Sequence, residues 1–373
     1  MIPIADPDIG PEERDAVQSV MASGQLADGE EVRRFEREFA DFCGADYGVA
    51  TTNGTTALHA ALEALGIGEG DAVITTPFSF VASANSIRLA GATPVFADVE
   101  PLALTLDPQA VESVLRARDD VEAILAVHLY GTPAAMNGLR KLADEYDVYL
   151  VEDAAQAHGA EYRGERVGTI GDVGCFSFYP TKNMTTGEGG MITTDDPGVA
   201  ERAARFCDHG RTEGYEHAVV GQNYRMTSLC AAIGREQLKR LPEFNVARRG
   251  NAAYLTDRLD GVVETPTEPP GVCSVFHQYT VRTDDRDRLR RHLDTRGVDT
   301  GVYYPIPIHE QPAYDDVPGE SGDFPVAERA ADRVLSLPVH PGLTTDDLDE
   351  IASAVESFDE STTRVADTGR MDI

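Results

Sequence analysis

Two rhythms of hydrophobic and polar residues alternate along the first half of this chain. Between about residues 48 and 196, short runs of apolar, β-branched and small residues give way repeatedly to stretches in which apolar side chains return every three or four positions. The runs Gly48–Thr52, Ala72–Thr76, Pro94–Asp98, Ala123–Leu129, Val148–Glu152, Cys175–Tyr179 and Met191–Thr194 predict strands. Several are apolar through most of their length, as strands covered on both faces are. In Thr55–Leu65, residues Ala57, Leu58, Ala61, Leu62 and Leu65 fall on one stripe of a helix, and Leu139–Glu145 reads as the end of another. Strands alternating with helices predict an α/β fold with a mainly parallel sheet and helices on both faces. In such sheets ligands bind at the carboxyl ends of the strands.

The pattern then changes. Residues 227–241 read as a helix ended by Pro242, and the Pro- and Gly-rich stretch 261–275 reads as a loop or linker. An alternating run Phe276–Val281, a charged helix Asp285–Arg296, a Pro-studded stretch Tyr303–Pro312 and a last helix Thr345–Ser357 follow. The polar segment from Glu360 onward is expected to fray. This predicts a large domain over residues 1–242 and a smaller C-terminal α+β domain over 243–373.

Composition narrows the function. The 373 residues are enough for about two domains, and 42% are hydrophobic, enough for a large core. With 32 basic against 64 acidic residues the net charge is −32, which disfavours binding nucleic acid or an anionic membrane surface. Only three lysines occur: Lys141, Lys182 and Lys239. A folded chain this acidic and this poor in lysine reads as adapted to high salt, where counter-ions screen self-repulsion. The five cysteines are odd in number and include no Cys-x-x-Cys, which argues against a disulfide framework and a zinc ribbon; no metal site is expected. The first residues carry no signal-peptide pattern and no window resembles a membrane span, so the expected location is the cytoplasm.

Three segments carry chemistry. Thr51-Thr-Asn-Gly-Thr-Thr-Ala57 predicts a strand, a small-residue turn and a helix N-terminus, a combination that can cradle a phosphate; a plain Thr-capped helix fits the same residues. No Walker-type loop with lysine occurs. Val151-Glu-Asp-Ala-Ala-Gln-Ala-His158 ends an apolar strand in carboxylates, and a buried Asp there could keep a pyridine nitrogen protonated; structural carboxylates are the alternative. Cys175-Phe-Ser-Phe-Tyr-Pro-Thr-Lys182 leads from a strand into a turn with a lysine, followed by Thr185-Thr-Gly-Glu-Gly-Gly190. A lysine among aromatic and small residues can have a lowered pKa and act as a nucleophile. A solvated loop lysine is the plainer alternative, less persuasive in a chain with three. Together, a phosphate cradle, a strand-end Asp and this lysine point to pyridoxal phosphate, with Lys182 as the Schiff-base amine.

With these segments in view, the chain resembles the DegT/DnrJ/EryC1/StrS family of fold type I sugar aminotransferases. The likeness runs from PDIGPEE through NGTTALHAAL, TPFSFVASANSI, FADVEP, VHLYG, EDAAQAHGA, FSFYPTKNMTTGEGGM, GQNYRMTSLCAAIG and YPIPIHEQPAY to SLPVHPGLT. The resemblance implies that Lys182 holds the cofactor and shuttles the proton, and that Asp153 pairs with the pyridine nitrogen. It implies that Gln156 lies near the ring's phenolic oxygen and that Phe80 stacks on the ring. It also implies that Thr56 and Ala57, with Ser177, hold the phosphate. Asn223 is implied to reach the phosphate of a neighbouring subunit, which makes the functional unit a homodimer. Tyr303, His309 and His158 are implied to lie near the sugar.

By the same resemblance, an amino acid, glutamate, donates its amine to the cofactor, which passes it to a keto carbon of a nucleotide-linked sugar. The NYRMT and TTGEGGM segments look most like enzymes acting on 4-keto-6-deoxy sugars, such as perosamine synthases, which favours C4 over C3. Relatives with His at the Lys182 position act as dehydratases; the lysine here favours transamination. A keto-cyclitol or other non-nucleotide substrate, or a pyridoxal-phosphate-binding regulator, are the alternatives. No helix-turn-helix with a basic face supports the regulator.

Overall fold

The computed structural model describes the backbone of residues 1–315 and 323–368, and side chains up to Phe358. Its strands are β1 (Tyr47–Thr51), β2 (Ala72–Thr75), β3 (Thr93–Phe96), β4 (Val121–Val127), β5 (Tyr149–Asp153), the short β6 (Glu161–Tyr162) and β7 (Glu165–Arg166), β8 (Val173–Ser177), β9 (Gly190–Thr194), β10 (Val272–Cys273), β11 (Tyr279–Arg282) and β12 (Val334–Leu337). The helices are α1 (Pro11–Ser23), α2 (Glu30–Cys43), α3 (Gly54–Leu65), α4 (Ala82–Leu89), α5 (Pro108–Ala117), α6 (Met136–Tyr146), α7 (Pro197–Cys207), α8 (Ser228–Leu259), α9 (Arg286–Thr295), α10 (Pro325–Arg333) and α11 (Thr345–Thr368). All seven expected strands form, and together they make one sheet in the order β1-β9-β8-β5-β4-β2-β3.

Five of the seven strands pair as the parallel set β8-β5-β4-β2-β3, and β9 runs antiparallel to both of its neighbours, β8 and β1. The connection from β8 to β9 carries no crossover helix, so the chain has to return in the opposite direction. Two layers of apolar side chains cover the sheet. One includes Leu58, Leu62, Phe78, Ile87, Leu125 and Ile192, and the opposite side carries Phe35, Phe39, Phe176, Phe178, Met191 and Leu241.

Several boundaries differ from expectation. Helix α8 does not stop before Pro242 but runs unbroken to Leu259 with that proline inside it. Its buried face continues through Phe244, Asn245, Arg248, Ala252, Leu255 and Leu259, and this packing outweighs the missing amide. The division expected between residues 242 and 243 therefore falls within a helix. The stretch 261–275 is not a free linker: Glu264 exchanges backbone hydrogen bonds with Arg282, and the Arg163 amide donates to the Gly271 carbonyl.

The C-terminal core gathers Leu255, Tyr279, Leu293, Leu337, Ile351 and Val355, and Ile2 joins it from the other end of the chain. Conversely, Ile308, Tyr314, Phe324, Ala327 and Ala330 pack into the core beside the main sheet. Helix α11 extends beyond the expected Ser357, with backbone helical to Thr368; of the polar segment expected to fray, residues 369–373 lie outside the described residues. No helix among the described residues is long and apolar enough to cross a membrane.

Candidate functional site

The site grows from the carboxyl ends of β2, β4, β5 and β8. Strand β5 is buried over its last four residues and ends in Asp153. One Asp153 oxygen, Oδ2, accepts the Ser83 hydroxyl at 2.7 Å, and Oδ1 accepts the Ala155 amide at 3.2 Å. Ser83 in turn lies 3.0 Å from the Ser79 hydroxyl. Burial pushes the Asp153 carboxyl up, while Ser83, the Ala155 amide and the charge of Lys182 pull it down.

Lys182 stands in the turn after β8, where its amide closes onto the Tyr179 carbonyl at 2.9 Å. Burial brings its amine down to about 8, with Asp153 opposing that fall. Because Asp153 and Lys182 act on each other electrostatically and each is shifted toward neutrality by burial, the pair suits a cofactor with a cationic ring nitrogen and a carbonyl. Phe80, on the segment after β2, is 55% exposed, which is unusual for a phenylalanine. Its ring lies 5.9 Å from that of Tyr304, and its carbonyl accepts the amide of Ser83, the residue that holds Asp153, at 3.2 Å.

The β1–α3 turn is built by close approach. Asn53 caps α3: its side chain accepts the Thr56 amide at 3.0 Å, and the Thr56 hydroxyl accepts the Asn53 amide at 3.1 Å. The Ala57 amide donates to the Asn53 carbonyl at 3.1 Å. The amides expected to hold a phosphate, those of Thr56 and Ala57, are thus engaged by Asn53, and the Thr56 hydroxyl belongs to the cap. Helix geometry leaves the Gly54 and Thr55 amides without an intrahelical acceptor at the positive end of the dipole. A Cβ on Gly54 would come within 2.7 Å of the Ser177 Cβ, so only glycine lets the helix start lie this close to the end of β8. Amides at a helix start facing a serine hydroxyl are the donor set a phosphate needs.

Gln156 lies three residues beyond Asp153. Its Oε1 accepts the Tyr130 amide at 2.7 Å, and its Nε2 donates to the Tyr304 hydroxyl at 3.2 Å. Ser83 and Tyr304 were not anticipated from sequence. Ser83 lies three residues from Phe80 in the same segment, a spacing that could have found it. Tyr304 is the neighbour of the expected Tyr303, and two adjacent tyrosines offer no sequence cue to which one faces inward. Tyr303 contributes its carbonyl, which accepts the Tyr130 hydroxyl.

Three expected residues do not join this hydrogen-bonded cluster among the described residues. His158 is fully buried and packs its ring 5.5 Å from Phe176 and 5.6 Å from Phe178. Burial, aided by the Lys182 charge, pulls it down to about 3. A neutral core histidine of this kind does not fit the expected place beside a sugar. His309 packs between Phe96 and Phe324, with Nε2 3.3 Å from Glu328, facing α10 rather than Lys182. Asn223 is exposed and lies in a backbone bridge with Asp208, and no hydrogen bond joins its side chain to the cluster among the described residues. The residues that do converge fit pyridoxal phosphate: a buried acid for the ring nitrogen, an amine of lowered basicity, an open aromatic face and a helix-start cradle.

Comparison with known proteins bears on the same site. A profile of the DegT/DnrJ/EryC1/StrS aminotransferase family matches residues 7–356. The chain is 42% identical over 348 residues to the dTDP-3-amino-3,4,6-trideoxy-alpha-D-glucose transaminase of Streptomyces venezuelae, covering 92% of this chain and 91% of that protein. It is 38% identical over 366 residues to the GDP-perosamine synthase of Caulobacter vibrioides, covering 95% and 97%. The crystal structure of S. venezuelae DesV in complex with a ketimine intermediate superposes with a TM-score of 0.90 at 42% identity, covering 94% of each chain.

Proposed function

Because the chain belongs to the DegT/DnrJ/EryC1/StrS aminotransferase family, we propose that it moves an amino group from glutamate to a keto carbon of a nucleotide-linked sugar. It is a pyridoxal-phosphate-dependent aminotransferase of the sugar-modifying kind. The observation that carries the assignment of roles is the convergence of Lys182 and Asp153 at neighbouring strand ends, each held toward its neutral form by burial.

When bound, pyridoxal phosphate supplies an electron sink for the donor's Cα–H electrons. The chain's own residues do the rest. Asp153, steadied by Ser83, holds the proton of the ring nitrogen. Lys182 holds the cofactor through Nζ and, once released, moves a proton at that atom as general base and acid. Phe80 offers a face to the ring, and Gln156 presents its amide near the ring oxygen. Gly54 and Thr55 amides with Ser177 hold the phosphate, the role first expected of Thr56 and Ala57. In this reading Asn223, exposed in its own chain, serves the site of a second copy, so the working unit is a homodimer.

The NYRMT and TTGEGGM segments favour C4 of the sugar. A second reading, C3, is favoured by the relative named for a 3-amino sugar. Incubation with glutamate and 3-keto or 4-keto sugar nucleotides, followed by NMR of the product, decides between them; amination of neither sinks the sugar assignment. Lys182→Ala is expected to lose the visible cofactor band and at least about 10²–10⁴-fold in rate, the worth of a positioned acid–base. A variant that kept both would overturn the role of Lys182.

A further inference from the structure

The loop after β4, residues 128–134, is closed by a buried histidine–glutamate clip that the reaction described above does not use. His128 and Glu152 are both fully buried, with Nε2 2.9 Å from Oε2. The other ring nitrogen, Nδ1, receives the Ala134 amide at 3.0 Å. An N–H pointing at Nδ1 requires that nitrogen to be bare, so the ring proton sits on Nε2 and donates to Glu152. Glu152 is saturated: Oε1 accepts the Ile170 and Gly171 amides at 2.8 and 2.7 Å, and Oε2 also accepts the Gly168 amide at 2.8 Å. The carboxylate is thereby anchored to the 168–171 turn, and the ring it holds ties residue 134 back to residue 128.

Inside the closed loop, Tyr130 is held at φ +59°, ψ +9°, left-handed backbone that a tyrosine rarely adopts. That conformation aims its amide at Gln156 Oε1. Because the Tyr130 N–H can only donate, Gln156 must turn its oxygen toward it and its NH₂ toward Tyr304 and the site. We propose that His128 and Glu152 are positioning residues for this reaction. They close the 128–134 loop, fix the Tyr130 amide, and so decide that Gln156 offers donors rather than an acceptor to the cofactor's ring oxygen. The inference rests on the placement of Gln156 beside that oxygen.

Glu152→Gln tests it at constant shape. At either oxygen's position the new NH₂ would face donors, the His128 Nε2–H and Gly168 amide or the Ile170 and Gly171 amides, so the anchoring of the clip must break on one side. The readout is a pH titration of the visible band of the holoenzyme, for the wild type, Glu152→Gln, Gln156→Ala and the double variant. Expected are a midpoint shift of about one pH unit in Glu152→Gln, a tenfold change in a protonation equilibrium, and no further shift when Glu152→Gln is added to Gln156→Ala. Equal shifts with and without Gln156, or no shift at all, would overturn the clip's action through Gln156 while leaving the cofactor assignment standing. A wild type with no visible band would overturn that assignment and this inference with it. If Glu152→Gln fails to fold, His128→Ala takes its place in the same four-way comparison, and His128→Gln, which keeps one acceptor and one donor, serves as the conservative rescue. Retention of a wild-type midpoint by His128→Gln together with a shift in His128→Ala supports the clip; wild-type midpoints in both overturn it.

Discussion

At the residue scale, the Ser83–Asp153 contact sets how firmly the acid is held. Removing the hydroxyl leaves a buried carboxylate oxygen without its donor, which costs about 1–3 kcal/mol, and lets burial push the carboxyl further up. Ser83→Ala is therefore expected to weaken capture of pyridoxal phosphate by roughly tenfold or more (about 1.4 kcal/mol per decade), measured by equilibrium dialysis; unchanged affinity would remove Ser83 from the site. Lys182 supplies a pH dependence. Its amine falls to about 8 in the folded apoprotein from an ordinary 10.5, so the nucleophilic neutral form grows as pH rises through about 8. Cofactor capture should accelerate from pH 7 to 8.5 and level off above, which stopped-flow absorbance can follow. For stability, the unfolded chain binds the extra proton between about 8 and 10.5, so this group makes the apoprotein more stable as pH rises through that window. Asp153 and Lys182 were legible in the sequence because strand-end position and lysine scarcity single them out. Tyr304, His309 and His158 were not, because which way a side chain turns depends on neighbours far along the chain: Phe324 for His309, Phe178 for His158.

At the scale of elements, the strands read well because burial on both faces leaves nearly continuous apolar runs. Val121–Val127 is the example: six of its seven residues are apolar, Glu122 being the exception, and the expected start was two residues late. The reversed direction of β9 left no such trace, since a strand's sequence does not encode its sense. Pro242 misled for a definite reason. A proline inside a helix costs about 3 kcal/mol relative to alanine, and local rules place a helix end there. The burial of Leu241 and Phe244 on either side, seen only in the folded chain, overrides that rule. Pro242→Ala is accordingly expected to stabilise the protein, by about 1–3 kcal/mol after allowing for the greater freedom of the unfolded alanine chain. Thermal unfolding measures it, and a lowered midpoint would mean that the proline's shape is itself required.

Across the whole molecule, the charge of −32 governs behaviour in solution. Arginine supplies nearly all the counter-charge and is drawn into ion pairs such as Arg235 with Glu31 and Glu38, and Arg258 with Asp349 and Glu356. The remaining carboxylates repel one another, and salt screens them. We expect loss of activity or unfolding on dialysis into dilute buffer, followed by circular dichroism; full activity there would count against adaptation to high salt.

The long helix has one more consequence at this scale. α8 lies against Phe35 of the main body near Gly234 and reaches the C-terminal core at Leu255 and Leu259. Each residue of a helix advances it by about 100°. A hybrid enzyme spliced at residue 242 with one residue gained or lost would turn everything beyond the splice by that angle, swinging Leu255 out of its core. Recombination with a relative can succeed at that point only if the two half-helices keep the same phase.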